Sequence, residues 1–267
     1  MIKEFIPPIL LKYLTGFLYG WKGNYSTWDE AKKKCSGYDS EIIFSKVKSA
    51  SLKVKNGQSV FERDSVIFDK IQYSFPLLSS LALIAQQNNG KLNVLDFGGS
   101  LGSSYFQNKN MFSRTKEFNW CVVEQPHFVR EGLHSFADNN LHFFFDMQSC
   151  IEKYRINVLL FASVLQYIED PYALLNDAIS KNIEYIIIDR TPLFVKGEDR
   201  ITIQKVQSNI YDASYPCRIM SESKLVNYLL KHYEMIYDFE SHERINLRNT
   251  VLKGFFLKRR NGIASSS

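Results

Sequence analysis

From residue 92 onward the chain alternates short apolar runs with stretches of helical period. The runs are Leu92 to Phe97, Phe118 to Glu124, Leu141 to Asp146, Ile156 to Phe161 and Ile183 to Ile188. Continuous apolar runs of this length fit strands covered on both faces, and helices between them predict a parallel α/β sheet. Residues 194–217 break the alternation and read as an insertion or a β-rich lid. Ser221 then caps a helix through Leu229 and Leu230, and two β segments, Tyr233 to Phe239 and Val251 to Leu257, close the domain. Ahead of the sheet, Pro7-Pro8 opens a helix in which Ile9, Leu10, Tyr13, Leu14, Phe17 and Leu18 share one face. Docking on the domain is the simplest use of that face; cover over a ligand cleft and contact with a membrane surface are the alternatives. Ser26 or Thr27 caps a helix starting near Trp28, residues 46–60 read as a polar connection, and Leu77 to Ala85 is a helix that stops at Asn88-Asn89-Gly90. The expected layout is an N-terminal helical extension over 1–90, a sheet domain over 91–260 with its insertion at about 194–220, and a disordered tail over 261–267.

At 45% hydrophobic residues the chain has enough apolar material for one large core. The net charge of +5 is mild and the basic residues are spread out, apart from Lys32-Lys33-Lys34 and Lys258-Arg259-Arg260. That argues against a dedicated nucleic-acid binder and leaves room for an anionic small substrate. Cys35, Cys121, Cys150 and Cys217 form no CxxC pair, so neither a metal site nor a disulfide framework is expected and reduced cytoplasmic thiols are the default. Glu4, Pro7-Pro8 and Lys12 interrupt the apolar N-terminus, which reads as neither a signal peptide nor a membrane span.

The candidate chemistry gathers where the first strand ends. In Asp96-Phe-Gly-Gly-Ser-Leu-Gly102 an acid is followed by Gly98, Gly99 and Gly102, a turn through which a backbone can approach a ligand. An ordinary strand-to-helix turn would look the same by itself. Two later strands also end in acids, Glu124 and Asp146, and Glu124 stands 22 residues beyond Gly102. That is near the separation of about 20 at which an acid receives ribose hydroxyls. Gln125 adjoins it, and Asp146 with Met147 marks where an adenine rests. The spacing is not G-x-G-x-x-G, and Asp96 would repel a pyrophosphate, so a ligand with a cationic group fits better.

This set resembles class I S-adenosylmethionine-dependent methyltransferases over roughly residues 90–258, with Ser100 where a glycine is usual. The resemblance implies a Rossmann-like parallel sheet with an antiparallel last strand and helices on both faces, with S-adenosylmethionine as cofactor. A narrower resemblance, to a group of bacterial methyltransferases linked to capsule and surface-polysaccharide assembly, extends over nearly the whole chain. It is carried by Trp21-x-Gly-x-Tyr25 with Trp28 and Ala31, Phe61-Glu-Arg-Asp-Ser-Val66, the turn itself, Val123-Glu-Gln-Pro126, Ser163-Val-Leu-Gln-Tyr-Ile168 and Asp189-Arg-Thr-Pro192. It implies O-methylation of a small acceptor, a phosphoramidate group or a sugar hydroxyl.

An anionic oxygen acceptor needs positioning more than a base. Arg190 is the expected anchor, oriented by Asp189, for which service as the base itself is the alternative, with Arg63, Tyr73, Gln166 and Arg218 on the acceptor side. Ser163 is expected to contact the cofactor and Tyr167 the reacting groups. His127 is the histidine best placed as a base should the acceptor be neutral. The Glu62-Arg63-Asp64 triplet reads first as a surface ion-pair cluster, with Arg63 holding an anion as the alternative. A non-catalytic relative of the fold, serving as a binding subunit, is the rival function. The partners expected are a small-molecule acceptor, no nucleic acid and no integral membrane contact; an oligomer through the N-terminal helices stays open.

Overall fold

A computed structural model describes residues 19–35, 41–206, 213–241, 245 and 247–260. The helix expected after Pro7-Pro8 and the tail over 261–267 lie outside these residues. In chain order come β1 (Gly20–Tyr25), α1 (Trp28–Lys32), α2 (Glu41–Lys55), β2 (Phe61–Arg63), β3 (Val66–Phe68) and α3 (Phe75–Gln87). The alternating part follows: β4 (Lys91–Phe97), α4 (Ser103–Asn108), β5 (Glu117–Val123), α5 (Pro126–Glu131), β6 (Leu141–Phe144), α6 (Met147–Lys153), β7 (Val158–Ala162), α7 (Pro171–Ser180) and β8 (Tyr185–Phe194). The chain ends in β9 (Arg200–Lys205), β10 (Ser214–Ser221), α8 (Glu222–Leu229), β11 (Tyr233–Glu240) and β12 (Thr250–Arg259).

Strands β6, β5, β4, β7 and β8 lie side by side and parallel; β12 then pairs antiparallel with both β8 and β11. Successive strand residues face opposite ways, which sorts the apolar runs into two cores. Val94, Val122, Leu160 and Ile187 meet α2, α3, α4 and α5 on one face. Leu95, Cys121, Leu159 and Ile186 meet α6, α7 and α8 on the other. The order reverses between β4 and β7, and in such sheets the crevice outside the strand ends at that reversal is where ligands bind.

Strand β8 is longer than its neighbour β7, and the difference shapes the site. β7 pairs with Tyr185 to Asp189 only, while Leu193 and Phe194 pair parallel with Met220 and Ser221 of β10. Through β10 the sheet continues into β9 and β1, both antiparallel, as a wing past the end of β7. The insertion is therefore strand-built, and the N-terminal third contributes strands as well as helices.

Two local expectations are corrected. Residues 46–60 are largely helix, not a polar connection: Ile43, Val47 and Ala50 are buried at helical spacing, while the lysines occupy the remaining positions of α2. The Glu62-Arg63-Asp64 triplet is not a surface ion-pair cluster, because the two-residue turn Asp64-Ser65, both at positive φ, folds β2 onto β3 and leaves Glu62 buried. Thr27 is the cap of α1, its hydroxyl accepting from the Glu30 amide at 3.1 Å. No helix among the described residues is long and apolar enough to cross a membrane.

Candidate active site

The carboxyl ends of β4, β5, β7 and β8 open into one cavity of about 640 Å³. Its floor is the turn after β4. Gly98, at φ +72°, donates its amide to the Val123 carbonyl at 2.9 Å, which ties the turn to β5. A side chain at Gly98 would run into Val164, and one at Gly99 into the Asp96 carboxyl. Four non-glycine residues around this cavity are also left-handed: Asp64 (φ 51°), Ser100 (φ 55°), Ser163 (φ 57°) and Arg190 (φ 50°). Each such residue costs of order 1–3 kcal/mol, and strain of this kind collects at functional sites.

Asp96 is fully buried beneath Gly99. Its Oδ2 accepts from the Trp120 indole N–H at 2.9 Å, while Oδ1 has no hydrogen-bond partner among the described residues. Burial pushes the carboxyl up to about 7; the Trp120 bond opposes this, the Glu124 charge adds to it and Arg190 lowers it. A pH dependence follows. The native state keeps a proton that the unfolded chain releases near pH 4, so it binds more protons between about 4 and 7. Stability should fall as pH rises through that window, by up to about 1.4 kcal/mol per pH unit, and level above it. Urea unfolding across this range should show the wild type losing stability relative to Asp96→Asn; a constant difference would contradict the assignment.

Glu124 follows β5, its Oε2 accepting from the Gln125 amide at 2.6 Å. Burial raises its carboxyl above the ordinary range, and the Gln125 and Ser100 amides pull it back. Ser163 donates its amide to the Asp189 carbonyl at 2.9 Å, and buried Gln166 donates to the Ser163 hydroxyl at 3.0 Å. Arg190 reaches the cavity with its guanidinium 3.2 Å from Oδ2 of Asp189, which is 1% exposed. The Tyr167 hydroxyl donates to Gln204 of β9 at 2.9 Å, joining the loop after β7 to the wing.

Of the residues singled out in the sequence, Asp96, Gly98, Gly99, Glu124, Gln125, Ser163, Tyr167, Arg190 and Arg63 line the cavity together. Asp189 and Gln166 stand behind this lining and hold Arg190 and Ser163. Gly102, at φ +92°, is the N-cap of α4. Asp146 caps α6, accepting from the Ser149 amide at 2.7 Å, and Met147 is buried in the core; between β6 and this cap, Phe145 lines the cavity at 55% exposure. His127 packs its ring on Phe44 and Phe128, Arg218 donates to the Glu169 carbonyl at 2.7 Å, and Tyr73 lies 6.2 Å from the Phe75 ring. None of these three is in the lining. Residues of the lining that the sequence did not single out for the site include Glu62, Trp28, Lys32, Phe145 and Tyr215. Trp28 and Glu62 do fall in segments that carry the narrower resemblance, but nothing in their spacing gives them a role.

No family model and no curated protein matches this chain. Among solved structures it aligns with the N-terminal domain of EvdMO1 crystallised with SAH and D-fucose, at 15% identity over 83% of this chain and 97% of that one (TM-score 0.47). It also aligns with the glycopeptide N-methyltransferase MtfA complexed with sinefungin, at 8% identity over 68% and 93% of the two chains (TM-score 0.47). A third is the 1,6-didemethyltoxoflavin-N1-methyltransferase of Burkholderia thailandensis, at 12% identity over 90% and 93% (TM-score 0.41). The strand order β6-β5-β4-β7-β8-β12-β11, with β12 reversed, is the Rossmann-like class I methyltransferase fold.

Proposed function

We propose that this chain is an S-adenosylmethionine-dependent methyltransferase acting on an oxygen of a small anionic or sugar-linked acceptor. A phosphoramidate or phosphorylated sugar of capsule and surface-polysaccharide assembly is the candidate. The observation that carries the reading is Asp96: a fully buried carboxyl beside the cavity, under a glycine turn, with one oxygen unpaired. A buried acceptor in that state suits a ligand that brings positive charge. Glu124, on the next strand, is available to two ribose hydroxyls, and the exposed ring of Phe145 to a base.

When bound, the cofactor supplies an electrophilic methyl group on a sulfonium. The chain's own residues hold the acceptor in line with it and keep water away. Arg190 pairs with an anionic acceptor oxygen, held in place by Asp189. Trp28, Tyr167 and Tyr215 line the cavity on the side of the wing and give it an aromatic wall suited to a sugar, with Lys32 beside them. An acceptor oxygen that is already ionised needs no proton removed, so the reading assigns no task to His127.

Calorimetry with S-adenosylmethionine, followed by incubation with nucleotide-activated and phosphorylated sugars read by the mass of one added methyl, tests both halves. Saturable cofactor binding and a methylated anionic sugar are expected. Absence of cofactor binding would overturn the enzyme reading; methylation of neutral acceptors alone would overturn the acceptor class.

A further inference from the structure

Glu62 is a buried carboxyl for which the reaction as described has no use. It is 2% exposed on β2 and lines the cavity together with Arg63, Asp64 and Ser103. Its Oε1 accepts from the hydroxyl of Ser51 on α2 at 3.3 Å and from the hydroxyl of Ser103, the first residue of α4. Its Oε2 accepts from the Ser65 amide at 3.3 Å. All three donors are neutral, and among the described residues no lysine or arginine pairs with it. Burial raises this carboxyl and the nearby Asp64 charge adds to the effect, against the pull of the three hydrogen bonds.

A carboxylate already stripped of water and fixed by three donors is preorganised for a cation that the protein itself does not provide. Position narrows the choice. The turn that floors the cavity meets Glu124 through the Ser100 amide and Glu62 through Ser103, three residues further on. A nucleoside whose ribose rests on Glu124 therefore crosses the turn with its other end toward Glu62. We infer that Glu62 holds the α-ammonium of the cofactor's methionyl end, so that the N-terminal hairpin β2–β3 completes the cofactor site that the sheet begins. This rests on the proposed use of the cavity for S-adenosylmethionine.

The test compares two ligands on the full chain. S-adenosylhomocysteine carries the amino-acid end; 5′-methylthioadenosine keeps the adenine, ribose and sulfur but lacks it. Glu62→Gln keeps the size and an acceptor oxygen for the Ser51 and Ser103 hydroxyls and removes the charge. It should weaken S-adenosylhomocysteine at least about tenfold while leaving 5′-methylthioadenosine within about twofold of wild type. Equal affinities for S-adenosylhomocysteine in variant and wild type would overturn the inference, and so would equal weakening of both ligands. A second measurement needs no variant: the α-deamino analogue of S-adenosylhomocysteine should bind the wild type at least about tenfold more weakly than S-adenosylhomocysteine. Equal affinity there would also overturn it. A wild type that binds neither ligand removes the cofactor reading itself, an outcome distinct from a failure of Glu62 alone.

Discussion

Glu124→Ala should bind S-adenosylhomocysteine about a hundredfold more weakly than the wild type. Hydrogen bonds to a charged acceptor contribute about 1.5–3 kcal/mol each, and two ribose hydroxyls lose theirs together while water restores part of the difference. The carboxylate is already oriented by the Gln125 amide at 2.6 Å and by the Ser100 amide, so its contribution costs little reorganisation. Asp96→Ala should lose affinity in the same titration through a different cause, the loss of a buried carboxyl that a cationic ligand would draw into its ionised form. Thermal unfolding of both variants separates loss of the site from loss of the fold. Affinities within about threefold of wild type in both would remove these residues from the cofactor site.

Arg190→Ala should lose turnover by about two to three orders of magnitude while cofactor affinity stays at its wild-type value, because misplacing a reacting group costs on that scale. The same change leaves the carboxyl of Asp189, 1% exposed, without its guanidinium, so the variant should also melt earlier. Arg190→Lys distinguishes the two effects. A lysine restores a cation beside Asp189 and recovers stability, but it cannot offer a planar fork to an anionic acceptor, so turnover should stay low. Steady-state rates with the unmethylated acceptor that the sugar screen identifies provide the measurement. Full turnover in Arg190→Ala would exclude its anchoring role.

Several parts of the site were legible before any coordinates because their signals are local. Asp96, Gly98 and Glu124 stand at a strand end, in a glycine turn and at the next strand end, and backbone geometry alone brings such positions to one edge. Asp146 met the same description and does something else. With Ser149 three residues on, its carboxylate satisfies a free amide at the start of α6, and capping competes with ligand binding for the same atoms. Glu62 escapes a local reading for a related reason. Its neighbours Arg63 and Asp64 look like a solvated charge cluster, and only the packing of the hairpin against α2 and α4 buries the glutamate. The helix over 41–55 is hidden in the sequence because eight of its residues are lysine, serine or glutamate, which masks a narrow apolar stripe at Ile43, Val47 and Ala50.

The sequence by itself determined the parallel sheet and the order in which acids and glycines reach the ends of its strands. Runs such as Val158 to Phe161 can be satisfied only between two layers of helix, and that constraint acts along the chain. Tertiary structure alone decided what covers the crevice. The extra length of β8 past β7 recruits β10, β9 and β1 into a wing, and a two-residue turn sets Glu62 against Ser103, 41 residues away. These pairings join segments distant in sequence, and their free energy comes from burying surfaces that no local pattern records.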